Sequence, residues 1–154
     1  MKVKYPIALA ITFIWIGFLL SISFMESWVK FQAEGVTLPV GLSIGKLVFG
    51  ILNKLEWLFF IIIISFIFKK IALVKSHPNL LTALFIILIL QTFWLLPILD
   101  QRADWLIQNQ TIASSNEHLY YIFFELIKLV ILFIFGISLL KEIATDNQSP
   151  IDLT

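Results

Sequence analysis

The sequence predicts an all-α integral membrane protein, a four-helix bundle that forms a single domain over residues 1–154. Three observations lead to this prediction. Hydrophobic residues make up 60% of the chain and charged residues only 14%, a balance outside the range of soluble globular domains. Four apolar segments approach the length of about 20 residues that a helix needs to cross a bilayer. The polar connections are too short to hold a soluble domain, which usually has about 50 residues or more.

The four spans are predicted at about residues 6–25, 46–68, 80–99 and 119–140, followed by a polar tail at 142–154. The first span has a basic start, but its apolar run continues to Met25 without a cleavage site of small residues. It is therefore expected to be a retained span and not a signal peptide. Pro97 favours a kink near the end of the third span. Ser114 and Glu117 have the spacing of a capping box that starts the fourth.

Basic residues are concentrated on one side of the predicted bundle. That side carries six lysines, namely Lys2, Lys4, Lys69, Lys70, Lys75 and Lys141. The other side carries only Lys30, Lys46 and Arg102 near the span ends. Because basic residues favour the cytoplasmic side, both termini are expected in the cytoplasm. The Ile-, Lys- and Phe-rich composition indicates a bacterial inner membrane, and the side away from the termini is called the outer side below.

Charged residues interrupt the second and fourth spans at matching heights. Twelve apolar or small residues separate Glu56 from Lys69, and twelve separate Lys128 from Lys141. Because twelve residues are too few to cross the hydrocarbon, the spans must begin upstream of Glu56 and Lys128. Both residues, with Glu125, are therefore expected inside the outer part of the membrane, where an ionisable group indicates a functional site.

Helical spacing places polar residues on one stripe of each span. The stripes are Lys46, Phe49, Asn53, Glu56, Phe60 and Ile63 on span 2; Ile87, Gln91, Trp94, Ile98 and Arg102 on span 3; His118, Tyr121, Glu125, Lys128, Leu132 and Phe135 on span 4; and Ser23, Glu26 and Lys30 on span 1. If these stripes converge, they form a polar pocket that opens to the outer side. The sequence therefore predicts that the protein binds or moves a small polar or ionic ligand.

The ligand-binding residues predicted for this pocket have different roles. Glu56 and Glu125 form the charged centre, Lys128 and Arg102 supply counter-charges, and Asn53 and Gln91 orient the ligand. Asp100, Glu26 and His118 complete the set.

The two predicted hairpins resemble one another. Each has a span that ends in an acid and a base, then a loop, then a span with Glu and Lys in its first three turns. The first pair is Glu26 and Lys30, and the second is Asp100 and Arg102. This pattern is consistent with two pseudo-repeated hairpins, an arrangement that transporters use to build a site between repeats.

Other interpretations of the charged residues stay open at this stage. Glu56 and Glu125 could form buried ion pairs with Lys54, Lys128 or Arg102 that only fix the helix register. The chain could instead be a membrane enzyme that uses carboxylate and histidine acid–base or metal chemistry. Candidate metal ligands are Glu26, Glu56, Asp100, His118 and Glu125, although no Glu-x-x-His pair is present. A third alternative is a structural subunit of a membrane complex.

Expected partners follow from composition and size. The lipid bilayer is the principal one, and a homodimer or a larger membrane complex is plausible for so small a chain. No cofactor is expected, because no phosphate-binding loop or haem-attachment motif occurs. No nucleic acid is expected, because the cytoplasmic lysines are explained by topology. The five tryptophans are expected to pack against neighbours or to anchor the chain at the interfaces.

Several short motifs resemble those of small four-span membrane families of unknown function, typified by the platinum-resistance-associated transmembrane protein. They are Gly17 with residues 21–31 in span 1, Lys46-Leu47-Val48-Phe49 opening span 2, Leu95-Leu96-Pro97 with Arg102 ending span 3, and Glu117-His118 opening span 4. The resemblance covers most of the chain. It implies the four-span fold and no defined activity.

Overall fold

The computed structural model describes residues 5–67, 77–110, 113 and 115–146. In these residues every regular element is helical, and four helical segments are long and apolar enough to cross a membrane. The prediction of an all-α chain with four membrane-length helices is therefore confirmed. Several residues used above lie outside the described part of the chain. They are Lys2, Lys4, Lys69, Lys70, Lys75, Ser114 and the tail residues 147–154.

We number the four helical segments α1 to α4. Segment α1 covers Pro6–Gln32, α2 covers Leu38–Ile67, α3 covers Pro78–Ile107 and α4 covers Glu117–Asp146. All four extend beyond the predicted spans. We call the end of the bundle with the links at residues 33–37 and 108–116 the outer end. Segments α1, α2 and α3 have additional turns at this end. Segment α4 also includes the start of the predicted polar tail.

Two segments contain π-helical turns that the sequence did not predict. Residues Leu19–Glu26 of α1 and Gln91–Leu95 of α3 are π-helical. In α3, Pro97 has no N–H to donate, and the N–H of Leu96 bonds to the carbonyl of Gln91 five residues back. A π turn holds one residue more than an α turn, so the inward face shifts by one position.

This shift corrects the stripe predicted for span 3. Regular helical spacing from Gln91 placed Trp94 on the inward face. In the structure Trp94 is 45% exposed and Leu95 is fully buried. The extra residue of the π turn thus rotates the rest of α3 relative to the prediction.

The connections at the outer end have defined stop signals. Gly35 adopts a φ of 81°, a left-handed conformation suited to glycine, in the link between α1 and α2. After α3, Asn109 has a φ of 58°. Its N–H bonds to the carbonyl of Leu106, and the N–H of Gln110 bonds to the carbonyl of Trp105. This pair of bonds is the Schellman motif, which ends α3 and turns the chain back toward α4.

The helices pack in a ring. Segment α1 contacts α2 and α4, and α3 contacts the same two neighbours. An apolar core fills the bundle on the side away from the outer end, with Leu19, Phe59, Ile63, Leu88 and Leu132 among its buried residues. Because α2 and α4 lie on opposite corners of the ring, any contact between them crosses the middle of the bundle.

Segments α1 and α4 approach closely at Gly136. A Cβ atom at this position would lie 3.3 Å from Cζ of Phe13 and 3.6 Å from Cγ2 of Thr12. At Gly50 on α2, a Cβ atom would meet nothing within 4 Å. Small residues allow this kind of close helix packing.

We expect Gly136→Leu to lower the free energy of unfolding by about 1–3 kcal/mol relative to Gly50→Leu, because the added side chain forces α1 and α4 apart. Both substitutions gain the same helix propensity, so the second is a matched control. Unfolding in detergent, followed by circular dichroism, measures the difference. Equal stability of the two variants would contradict the close approach.

Candidate functional site

A cluster of three ionisable side chains lies in the middle of the bundle. Lys128 on α4 donates a hydrogen bond to Oε1 of Glu56 on α2. Its Nζ also forms an ion pair with Oε1 of Glu125, one turn earlier on α4, at 3.0 Å. Glu56 and Lys128 are fully buried and Glu125 is 1% exposed. We call these three residues the ion cluster.

The other two helices supply neutral donors to the same carboxylates. On α1, Nε1 of Trp15 donates to Oε1 of Glu56 at 3.1 Å, and the hydroxyl of Ser23 donates to Oε2 of Glu125 at 3.1 Å. On α3, Nε2 of Gln91 donates to Oε1 of Glu125 at 2.9 Å. All four helices therefore meet at the ion cluster.

The ion cluster contains two carboxylates but only one ammonium group. Within the described residues, Oε2 of Glu56 has no hydrogen-bond partner, and neither has Oε1 of Gln91. A buried charge or polar atom without a partner costs several kcal/mol. With both carboxylates ionised, the cluster is short of one positive charge, and these two acceptor atoms are available to a group that supplies it.

Asn53 lies near the cluster but belongs to a separate chain of hydrogen bonds. Nε1 of Trp57 donates to the hydroxyl of Thr92 at 2.9 Å, and this hydroxyl donates to Oδ1 of Asn53 at 3.1 Å. The chain ties α2 to α3. It makes Asn53 a link between helices, although its Nδ2 has no partner in the described residues.

A larger cavity lies between the ion cluster and the outer end. Its volume is about 490 Å³, which is within the usual range for a small-molecule site. All four helices contribute to its wall, which is largely apolar. We call it the outer cavity, and its polar or aromatic lining residues include Trp28, Lys30, Phe31, Lys46, Phe49, Asp100, Arg102, His118 and Tyr121.

The basic residues of this wall are already engaged. Nζ of Lys46 lies 2.6 Å from Oδ2 of Asp104. Nζ of Lys30 lies 3.3 Å from Oε2 of Glu26. Arg102 donates to the carbonyl oxygen of Ala113 at 2.6 Å.

A second, much smaller cavity of about 30 Å³ lies beside Glu125 of the ion cluster. Ser23 and Glu125 line it, and Phe49, Tyr121 and His118 belong to the walls of both cavities. The rings of Phe49 and Tyr121 form an edge-to-face pair with centroids 5.5 Å apart. The small cavity is large enough for a water molecule, although its wall is mostly apolar. This aromatic pair lies between the outer cavity and the small cavity beside Glu125.

The structure thus divides the predicted pocket in two. Glu56, Glu125, Lys128 and Gln91 form the inner region, and Asp100, Arg102 and His118 line the outer cavity. Glu26 pairs with Lys30 at the wall, and Asn53 stands apart. The sequence predicted that Arg102 supplies a counter-charge to the ion cluster, but the structure places Arg102 away from the cluster. It follows Gln91 by eleven residues on α3, a rise of about 16 Å, and faces residue 113 instead.

In the described part of the chain, the five candidate metal ligands do not form one group. Among the residues that the structure describes, no group of three or more histidine, cysteine, aspartate or glutamate side chains could hold a metal ion. The ammonium group of Lys128 occupies the place between Glu56 and Glu125 that a metal ion bridging the two carboxylates would need. Glu26 is turned to Lys30.

Trp15 is a residue of the candidate site that the sequence did not predict. It is fully buried and donates to Glu56, whereas the expectation for all tryptophans was packing or interfacial anchoring. One signal was available, because Trp15 lies in the middle of its span and tryptophan is enriched at the two interfaces. Thr92 was also missed, because a threonine in a span has no distinctive signal.

We expect Lys128→Met to lower the free energy of unfolding by about 3–5 kcal/mol, because it leaves two buried carboxylates without their shared cation. Adding Glu56→Gln to this variant should restore part of the loss, since it removes one of the stranded charges. Lys54→Met is the matched control, because Lys54 is exposed on the outside of α2. Thermal unfolding in detergent checks all three, and equal losses for Lys128→Met and Lys54→Met would contradict the ion cluster.

Comparisons with known proteins do not assign the chain to a family. No protein-family model, curated protein or solved structure matches it.

Proposed function

We propose that this chain is a multi-pass protein of the inner membrane that binds or moves a small polar or ionic ligand, with the ion cluster as its charged centre. One observation carries the proposal. Two buried carboxylates, Glu56 and Glu125, share the single ammonium group of Lys128. In a bilayer such a deficit of positive charge is costly. A proton or another small cation would balance it.

The surroundings of the cluster support exchange with the outer side. The small cavity lies beside Glu125, and its wall shares Tyr121 and Phe49 with the outer cavity. On the inner side, the bundle is closed by apolar residues such as Ile63 and Phe135. A cation could therefore reach Glu125 from the outer cavity more easily than from the cytoplasmic side. Access from the cytoplasmic side would require the apolar core to move.

The topology proposed here has both termini in the cytoplasm and the lipid bilayer as the principal partner, and it allows a homodimer or larger complex. The two-hairpin pseudo-repeat belongs to the same proposal. Segments α1 and α3 begin at Pro6 and Pro78, and each enters its π segment thirteen positions later, at Leu19 and Gln91.

The proposed topology predicts a simple labelling pattern. The chain has no cysteine, so single cysteines can be introduced without background. In intact cells, we expect Glu34→Cys in the link between α1 and α2 to react with a membrane-impermeant maleimide. Lys141→Cys, near the end of α4 that lies away from the outer end, should react only after the membrane is opened. The reverse pattern would show that the termini lie outside.

The role of the carboxylates can be tested in liposomes that enclose a pH-sensitive dye, with the membrane potential clamped. We expect the purified protein to dissipate an imposed pH gradient. Glu56→Gln or Glu125→Gln should slow the initial rate by about tenfold or more, equivalent to about 1.4 kcal/mol. Glu34→Gln is the matched control, because Glu34 is exposed and remote from the cluster.

The competing explanation is that the ion cluster only fixes the helix register. In that case the glutamine variants would unfold at lower temperature but move protons as fast as the unsubstituted protein. That result would rule out the movement of protons through the ion cluster.

A further inference from the structure

We propose that the outer cavity binds an amphipathic organic cation, a small apolar molecule that carries one positive charge. The proposal names a ligand class for the outer cavity, and it rests on the proposed function only for the link between this cavity and the ion cluster. Three features of the cavity support it: its aromatic wall, the pairing of its bases and one uncommitted acid.

The wall of the outer cavity suits an apolar body with a positive charge. Trp28, Phe31, Phe49 and Tyr121 contribute aromatic rings to the wall, and several leucines also line it. The negative face of an aromatic ring attracts a cation, and quaternary ammonium ligands are recognised in this way. In the described residues, Nζ of Lys30 already lies 5.5 Å from the ring centroids of Phe31 and Phe49. A ligand cation would therefore rely on the rings of Trp28 and Tyr121.

The bases in the wall do not make the cavity a site for anions. Lys30 and Lys46 form ion pairs with Glu26 and Asp104. An anion would have to displace one of these carboxylates to gain a full ion pair. Arg102 donates to a backbone carbonyl, which leaves its charge in place, and that charge acts on the carboxylate of Glu117. Each of these three bases therefore has a carboxylate that offsets part of its positive charge.

Asp100 is the acid without a committed partner. It lines the outer cavity, and it makes no hydrogen bond or ion pair with any residue that the structure describes. The charge of Lys46 also acts on Asp100, but its ammonium group is paired with Asp104. Beneath the aromatic pair, Glu125 belongs to a cluster with one unbalanced negative charge. A cation in the cavity would thus have an acid at its side and negative charge below.

A pair of ions with the same shape and opposite charge tests the sign directly. Tetraphenylphosphonium and tetraphenylborate each carry four phenyl rings around a central atom. Binding is measured on the full chain in lipid nanodiscs by equilibrium dialysis, with empty nanodiscs as the blank. We expect saturable binding of tetraphenylphosphonium and none of tetraphenylborate. Preference for tetraphenylborate, or no saturable binding of either ion, would overturn the proposal.

Variants locate the binding within the cavity. Asp100→Asn should weaken tetraphenylphosphonium binding by roughly tenfold, because it removes the uncommitted charge. Trp28→Leu, which keeps an apolar side chain, should weaken it by about two- to fivefold. Glu34→Gln is the control outside the cavity and should leave the affinity unchanged. If Asp100→Asn and Trp28→Leu both bind as tightly as the control, the cation does not bind in the outer cavity.

The test separates this proposal from the proposed function. Glu125→Gln should weaken tetraphenylphosphonium binding only if the ion cluster carries the surplus charge. Loss of affinity in Asp100→Asn alone supports the cation site and contradicts the link to the cluster. Nanodiscs with and without choline lipids then identify the source of the natural cation. Competition by these lipids would indicate a headgroup, and its absence a soluble cation.

Discussion

The rest of the bundle depends on one interaction, the sharing of the Lys128 ammonium group by two buried carboxylates. It joins α2 to α4 across the middle of the ring, where it contacts Glu56 and Glu125. Trp15 and Gln91 then attach α1 and α3 to the same two carboxylates. Because a buried carboxylate without donors is costly, none of the four helices can rotate or slide without losing one of these bonds. The cluster therefore specifies the register of all four helices.

The part of this arrangement that the sequence predicted is the part built on regular helices. Glu56 and Lys128 are each followed by twelve apolar or small residues before the next lysine. That spacing placed them at one height, and the 3.6-residue period placed Glu125 on the same face as Lys128. The structure buries all three together. Height and face are local properties of an α-helix, so they can be read from the sequence.

What the sequence could not predict depends on irregular turns and on contacts between distant residues. The π turn of α3 shifts the inward face of this helix by one position, so Leu95 is buried in place of Trp94. The pairing of Lys46 with Asp104 joins residues on different helices. Without knowledge of this ion pair, the sequence leads one to treat the bases of the outer half as unpaired and the site as one pocket with Arg102 as a counter-charge. With it, the site divides into an ion cluster and a separate cavity.

The two regions are linked by the sign of their charge. In the proposed scheme, a proton or small cation at Glu125 cancels the surplus negative charge of the ion cluster. The same event weakens the attraction between the cluster and a cation in the outer cavity. Each ligand must therefore lower the affinity of the other by the same factor, because coupling between two sites is reciprocal. Two cations competing for one unbalanced charge across the Phe49 and Tyr121 pair would be exchanged instead of being bound together. Such exchange needs no contact between the two ligands. It requires only that the carboxylates outnumber the ammonium group that they share.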